Sequence, residues 1–157
     1  RIKSGGGRIG FSLSDTFCVE RHKPDFLDLF ARDIDILLAN SAEAQALLDV
    51  TDIADIIAAM QDAGIDGAIT CGAEGAVIVS GDEAVRVDAH AVETVTDLTG
   101  AGDQFAAGYL CGVARGRDAH TCGRMGALAA AEVIQHFGPR PEKDLRAVFA
   151  EHGFEIG

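Results

Sequence analysis

Short apolar runs alternating with helix-patterned segments constrain this chain more than any other feature. Residues 9–13, 34–39 and 67–71 each have the length and apolar content of a buried strand. Between the first two, Pro24 suits a helix start, and Phe26, Leu29 and Phe30 follow at i, i+3, i+4 spacing. Between the second and third, Ala44, Leu47 and Leu48 mark one apolar helix face and Ile53, Ile56, Ile57 and Met60 another, with Gly64 placed to end it. Strand, helix, strand in this order requires right-handed crossovers and a mainly parallel sheet covered by helices, an α/β fold in layers.

The remaining chain continues the pattern in shorter pieces. Residues 70–75 form a tight connection to an apolar run at 76–79, Gly81 and Asp82 mark a turn, and residues 84–95 alternate enough for one or two short strands. Helices are expected over 104–115, ended by Gly116, over 122–136, stopped by Gly138 and Pro139, and over 143–151. The opening RIKSGGG reads as the tail of a preceding helix and its turn, so the chain is expected to begin within a fold. Gly5, Gly7 and Gly10 satisfy G-x-G-x-x-G, but they precede their strand instead of following it, which is the wrong order for a dinucleotide site. His22 and His90 read as surface residues, and Asp15 either as a loop cap or as an acidic residue bordering a ligand site at the end of the first strand.

With 157 residues and 48% hydrophobic content, the chain can bury a sizeable core and fits one domain. Its formal net charge of −12 argues against nucleic acid or an anionic membrane as partner, so an anionic ligand must be met by a local positive site. There is no bilayer-length apolar run or leader pattern, and Cys18, Cys71, Cys111 and Cys122 lack paired metal-ligand spacing. The expectation is a cytoplasmic protein with free thiols.

The segment DLTGAGDQFAAG, residues 97–108, is where chemistry is expected. A helix's first turn presents backbone N–H groups without intrahelical partners and carries partial positive charge, which suits a phosphate or a developing oxyanion. Gly100 and Gly102 remove side chains from that approach. Asp103 is the informative member, because a carboxylate repels phosphate; a general base that takes a hydroxyl proton would explain it. The plain alternative is a first-turn acid favoured by the helix dipole.

This segment closely resembles the DTTGAGDxFxxG signature of the ribokinase-like (PfkB) sugar and nucleoside kinases, departing from it at Leu98. The resemblance implies a layered α/β/α ribokinase-like fold and covers about the C-terminal half of a typical member, residues 1–157 being the ATP-binding and catalytic portion. It implies Asp103 as catalytic base and the amides of Gly100, Ala101, Gly102 and Asp103 as the anion hole. Asn40 and Glu43 match the family's N-x-x-E motif, which arranges water and Mg²⁺ around the triphosphate; on their own they read as a helix N-cap and a first-turn acid. Thr70, Gly72 and Gly75 match a T-x-G-x-x-G element that lines the nucleotide phosphates. Ala131, Gln135, His136 and Gly138 fall where the family borders adenine, and Asp97 and Thr99 where some members bind a monovalent cation such as K⁺.

The function implied is transfer of the ATP γ-phosphoryl group to a hydroxyl of a sugar or nucleoside, with a preference for the adenosine-kinase-like or general sugar-kinase branches and room for a homodimer. The alternatives are a nucleotide-binding module of the same fold without turnover and, more distantly, a dehydrogenase.

Overall fold

The computed structural model describes residues 5–156. Residues 1–4, and with them most of the expected helix tail, lie outside the described residues. Five strands, β1 (Gly10–Ser12), β2 (Ile36–Asn40), β3 (Asp66–Thr70), β4 (Ala76–Ser80) and β5 (Glu83–Val87), stand side by side in chain order. The first three are parallel, with Gly10 opposite Ile36, Ile36 opposite Asp66, and Asn40 opposite Thr70. A single 3₁₀ turn, Gly72–Glu74, separates β3 from β4, and only Gly81 and Asp82 separate β4 from β5. Connections this short cannot make the crossover that parallel neighbours need, so these pairs are antiparallel and the sheet is mixed. The expected parallel sheet is thus its first three strands.

The helices are α1 (Thr16–Arg32), α2 (Ser41–Leu48), α3 (Ile53–Asp62), α4 (Ala101–Val113), α5 (Ala119–Val133) and α6 (Leu145–Glu151). Helix α1 begins well before Pro24, in the polar stretch where no helix was expected. Asp15 is its N-cap, accepting from the Cys18 N–H at 2.7 Å. At His22 the backbone leaves helical geometry (φ −118°, ψ 19°), which accommodates the nearby proline ring and its missing N–H. Residues 88–95 are irregular, and His90 is half-buried with its ring 5.0 Å from that of His152 instead of lying on the surface.

By its internal contacts the chain divides into two units, Arg1–Cys71 with Val77–Val85, and Gly72–Ala76 with Arg86–Gly157. The first has a core of Leu13, Val19, Leu37, Leu47, Ile56, Met60, Ile69 and Val79, all but excluded from water. In the second, Met125, Leu128, Ala129 and Phe149 join α5 to α6, with Cys111 of α4 packed against them. Helices α4 and α5 meet almost backbone to backbone. A Cβ on Gly108 would lie 2.4 Å from the Met125 carbonyl oxygen, and one on Gly126 would lie 2.9 Å from that of Phe105. All four cysteines are free.

Candidate active site

The signature segment folds into a turn that hands the chain directly to α4. Gly100 is the N-cap and adopts a left-handed conformation (φ 82°) that disfavours any residue with a Cβ. Such a Cβ would also fall 2.6 Å from Pro139 Cβ. The Ala101 N–H donates back to the Leu98 carbonyl at 3.2 Å, closing the turn. Gly102 and Asp103 then occupy the first turn of α4, where helix geometry offers their amides no carbonyl one turn back. A Cβ on Gly102 would meet nothing within 4 Å, so that side of the turn is open. The Asp103 side chain is exposed beside it.

Asp97 is the residue that ties this turn in place. Its Oδ1 accepts from the Thr99 N–H at 2.9 Å and from Thr99 Oγ1 at 2.7 Å, while Oδ2 accepts from the Gly138 N–H at 3.0 Å. The bonds from Gly138 and Thr99 hold its carboxyl below the usual carboxylate range. Of about four acceptor positions on a carboxylate, one remains for anything else. Gln104 Nε2 adds a bond to the Pro139 carbonyl at 3.1 Å, and Thr96 Oγ1 one to the Gln135 carbonyl at 2.9 Å. The signature turn and the connection after α5 are therefore one assembly. Gly138 enters it through its backbone, whereas the Gln135 side chain turns back to the Ala131 carbonyl at 2.8 Å.

In the other unit, Asn40 and Glu43 form a complete capping box at the start of α2. Asn40 Oδ1 accepts from the Glu43 N–H at 2.9 Å, and Glu43 Oε2 accepts from the Asn40 N–H at 2.9 Å. Asn40 Nδ2 also donates to Glu43 Oε1 at 2.7 Å. Glu43 is 7% exposed. Burial pushes its carboxyl up, the Asn40 backbone bond pulls it down, and the charge of Asp15 pushes it up again. Asn40 lies opposite Thr70 in the β2–β3 register, so both stand at the C-terminal edge of the parallel strands, where open α/β sheets place ligands. Gly72 has open space beside it, but Gly75 is held by the fold: at φ 88° a Cβ there would fall 2.0 Å from the Val87 carbonyl oxygen.

Each oxygen of Glu43 keeps an acceptor position after its bond to Asn40, which suits water and a divalent cation beyond it. Among the described residues no cluster of three or more His, Cys, Asp or Glu could hold a metal by itself. A Mg²⁺ ion would accordingly depend on retained water and phosphate oxygens as well as on Glu43.

Residues 11–145 match the pfkB family carbohydrate kinase domain, and the chain belongs to that family. Among its relatives, an uncharacterized sugar kinase of Archaeoglobus fulgidus is 44% identical over 73 residues, 46% of this chain and 29% of that protein. The crystal structure of a probable sugar kinase from Rhizobium etli superposes with a TM-score of 0.92 and 38% identity, over 97% of this chain and 46% of that one. Adenosine kinase from Sinorhizobium meliloti gives 0.91 and 39%, over 96% and 46%. The fold is ribokinase-like, and this chain spans less than half the length of these relatives.

Two elements of this arrangement escaped the reading of the sequence. The Asp97–Gly138 bond joins residues 41 apart. Glu132 is a buried carboxylate whose Oε1 accepts from the Glu142 and Lys143 N–H groups at 3.0 and 2.9 Å. A lone charge in the apolar run LAAAEVI, one turn before a histidine, was the available signal.

Proposed function

We propose that this chain carries the nucleotide-binding and phosphoryl-transfer part of an ATP-dependent kinase acting on a hydroxyl of a sugar or nucleoside. The observation that supports it most is the signature turn: open first-turn amides, a left-handed Gly100 that aims them, and the exposed Asp103 carboxylate beside them. Phosphoryl transfer needs alignment and charge stabilisation more than covalent help from the protein. In this reading the amides of Gly100, Gly102 and Asp103 receive the phosphoryl oxygens, the Ala101 N–H joining them only by sharing its bond to the Leu98 carbonyl, and Asp103 takes the proton of the acceptor hydroxyl. Mg²⁺, when bound, neutralises phosphate charge, and Glu43 with Asn40 would hold it through water. Thr70 and Gly72 border the phosphates, while Gln135, His136 and Gly138 border the base. K⁺ would take the one acceptor position left on Asp97, together with oxygens near Thr99.

The acceptor favoured is a nucleoside of the adenosine type, since a 39% identical structural relative is an adenosine kinase. Within the family this preference is finer than fold can supply, so it rests on the likeness alone. The test is Asp103→Asn in a preparation that releases ADP in the presence of adenosine or ribose. Turnover falls by about 10²-fold or more, the usual contribution of a positioned base, while Mg-ATP affinity stays within about threefold. Near-normal turnover removes Asp103 from the role.

A further inference from the structure

Glu43 and Glu132 are the charged side chains buried among the described residues, and Glu132 has no part in the phosphoryl-transfer chemistry just proposed. It is 5% exposed at the end of α5, on a stretch otherwise made of alanine and aliphatic residues. A carboxylate removed from water is retained only where its acceptor positions are filled. Here they are filled by the connection from α5 to α6. Oε1 takes the Glu142 and Lys143 N–H groups, and Oε2 lies 3.4 Å from His136 Nε2. Both ends of residues 136–143 are thereby fastened to one side chain.

Between those ends lie the two residues that hold the signature turn. The Gly138 N–H is bonded to Asp97, and Pro139 fills the space against Gly100 while its carbonyl accepts from Gln104. We infer that Glu132 is a positioning residue: it fixes the 136–143 connection in the shape that keeps Gly100 left-handed and the first-turn amides of α4 aimed at the nucleotide phosphates. The inference rests on the kinase reading of that turn.

His136 makes the clamp sensitive to protonation. Its Nδ1 is buried without a hydrogen-bond partner and lies 3.9 Å from Glu142 Oε1. A neutral ring carries no net charge, whereas the imidazolium is attracted to both carboxylates, Glu132 at 3.4 Å and Glu142 at 3.9 Å. The third charge acting with it is Asp97, at the far end of the Gly138 bond. Burial alone would lower the imidazole, but the bond to Glu132, the Phe137 backbone and the charges of Glu132 and Glu142 together raise it above its ordinary value. The added hold is therefore complete below the ordinary histidine range and disappears as pH rises through the raised value.

The experiment is calorimetric titration of the chain with Mg-ATP for wild type, Glu132→Ala and Glu132→Gln at about pH 6 and about pH 8, with far-UV melts alongside. Glu132→Ala weakens binding about tenfold or more, the effect of losing charge-assisted bonds. Glu132→Gln keeps an oxygen for the two amides but no charge for His136. It binds within about threefold of wild type at the higher pH and falls further behind at the lower, to about fivefold or more. If Glu132→Ala does not fold, Glu132→Gln decides the matter by the change in its ratio to wild type between the two pH values. A folded Glu132→Ala that binds like wild type, or a Glu132→Gln ratio that is the same at both pH values, overturns the inference. A wild-type chain that binds no Mg-ATP overturns the kinase reading and the inference with it.

Discussion

Gly100 and Gly102 stand two residues apart in the same turn, and replacing each by alanine has opposite expected effects. Gly102 is not among the positive-φ residues, and an added methyl meets nothing within 4 Å. Alanine there gains helix propensity and loses unfolded-state freedom, together about 0.5 kcal/mol of stability. For a chain of this size that raises Tm by about 1–2 °C. Gly100→Ala instead puts a Cβ into a left-handed residue, costing about 1–2 kcal/mol, and drives it against Pro139, costing about 1–3 kcal/mol more. Its Tm falls by at least about 4 °C. The diagnostic case is Gly102→Ala, because under the proposed function the methyl that stabilises the turn would occupy the approach of a phosphoryl oxygen. Losing one anion-hole donor costs about 10²–10³ in rate, so ADP release drops by about 10²-fold while the protein melts higher. Thermal melts and a coupled ADP assay on the same preparations read both quantities. A lower Tm for Gly102→Ala refutes the open space, and a higher Tm with unchanged turnover refutes its use by the phosphoryl group.

Asn40→Ala removes one half of the α2 capping box and costs about 1 kcal/mol, a Tm decrease of about 2–4 °C by thermal melt. Because Asn40 Nδ2 also orients Glu43, the same variant raises the Mg²⁺ concentration needed to saturate ATP binding, measured by titration at fixed nucleotide. The lowered carboxyl of Asp97 adds stability that is full above the ordinary carboxylate value and is lost as pH falls through its depressed folded value. Acid titration followed by Thr99 and Gly138 amide exchange is expected to show these two sites opening together, and Asp97→Ala opens them at neutral pH.

The sequence revealed those parts of the fold whose cause is local. The runs at β2 and β3 and the amphipathic faces of α2 and α3 fell where periodicity put them, within a residue or two. The early start of α1 was hidden because its first turns send only Val19 into the core, with no helical run of apolar residues around it, and Pro24 advertised a later beginning. Candidate residues were legible where a motif is contiguous, as in residues 97–108. What could not be read was their mutual support. Nothing near Gly138 announces that its N–H will meet Asp97, and nothing near Gly75 announces the Val87 backbone pressed against it. Those constraints arise from tertiary approach, which single-chain patterns do not record. At Gly75 the conformation and surroundings already require glycine before any phosphate is considered.

The close backbone approach of α4 and α5 at Gly108 and Gly126 has a mechanical consequence. Where helices are separated by flexible side chains, one can slide or roll over the other by changing rotamers. At Gly108 and Gly126 no such bearing layer separates them: there the α4 backbone rests directly on that of α5, like a key in a slot. The axis of α4, and with it the direction of its amino-terminal amides, is thus a fixed reference. Any adjustment that brings reacting groups into line has to come from the loops or from the bound molecules themselves, and mutations that widen this slot are expected to blur the site from a distance.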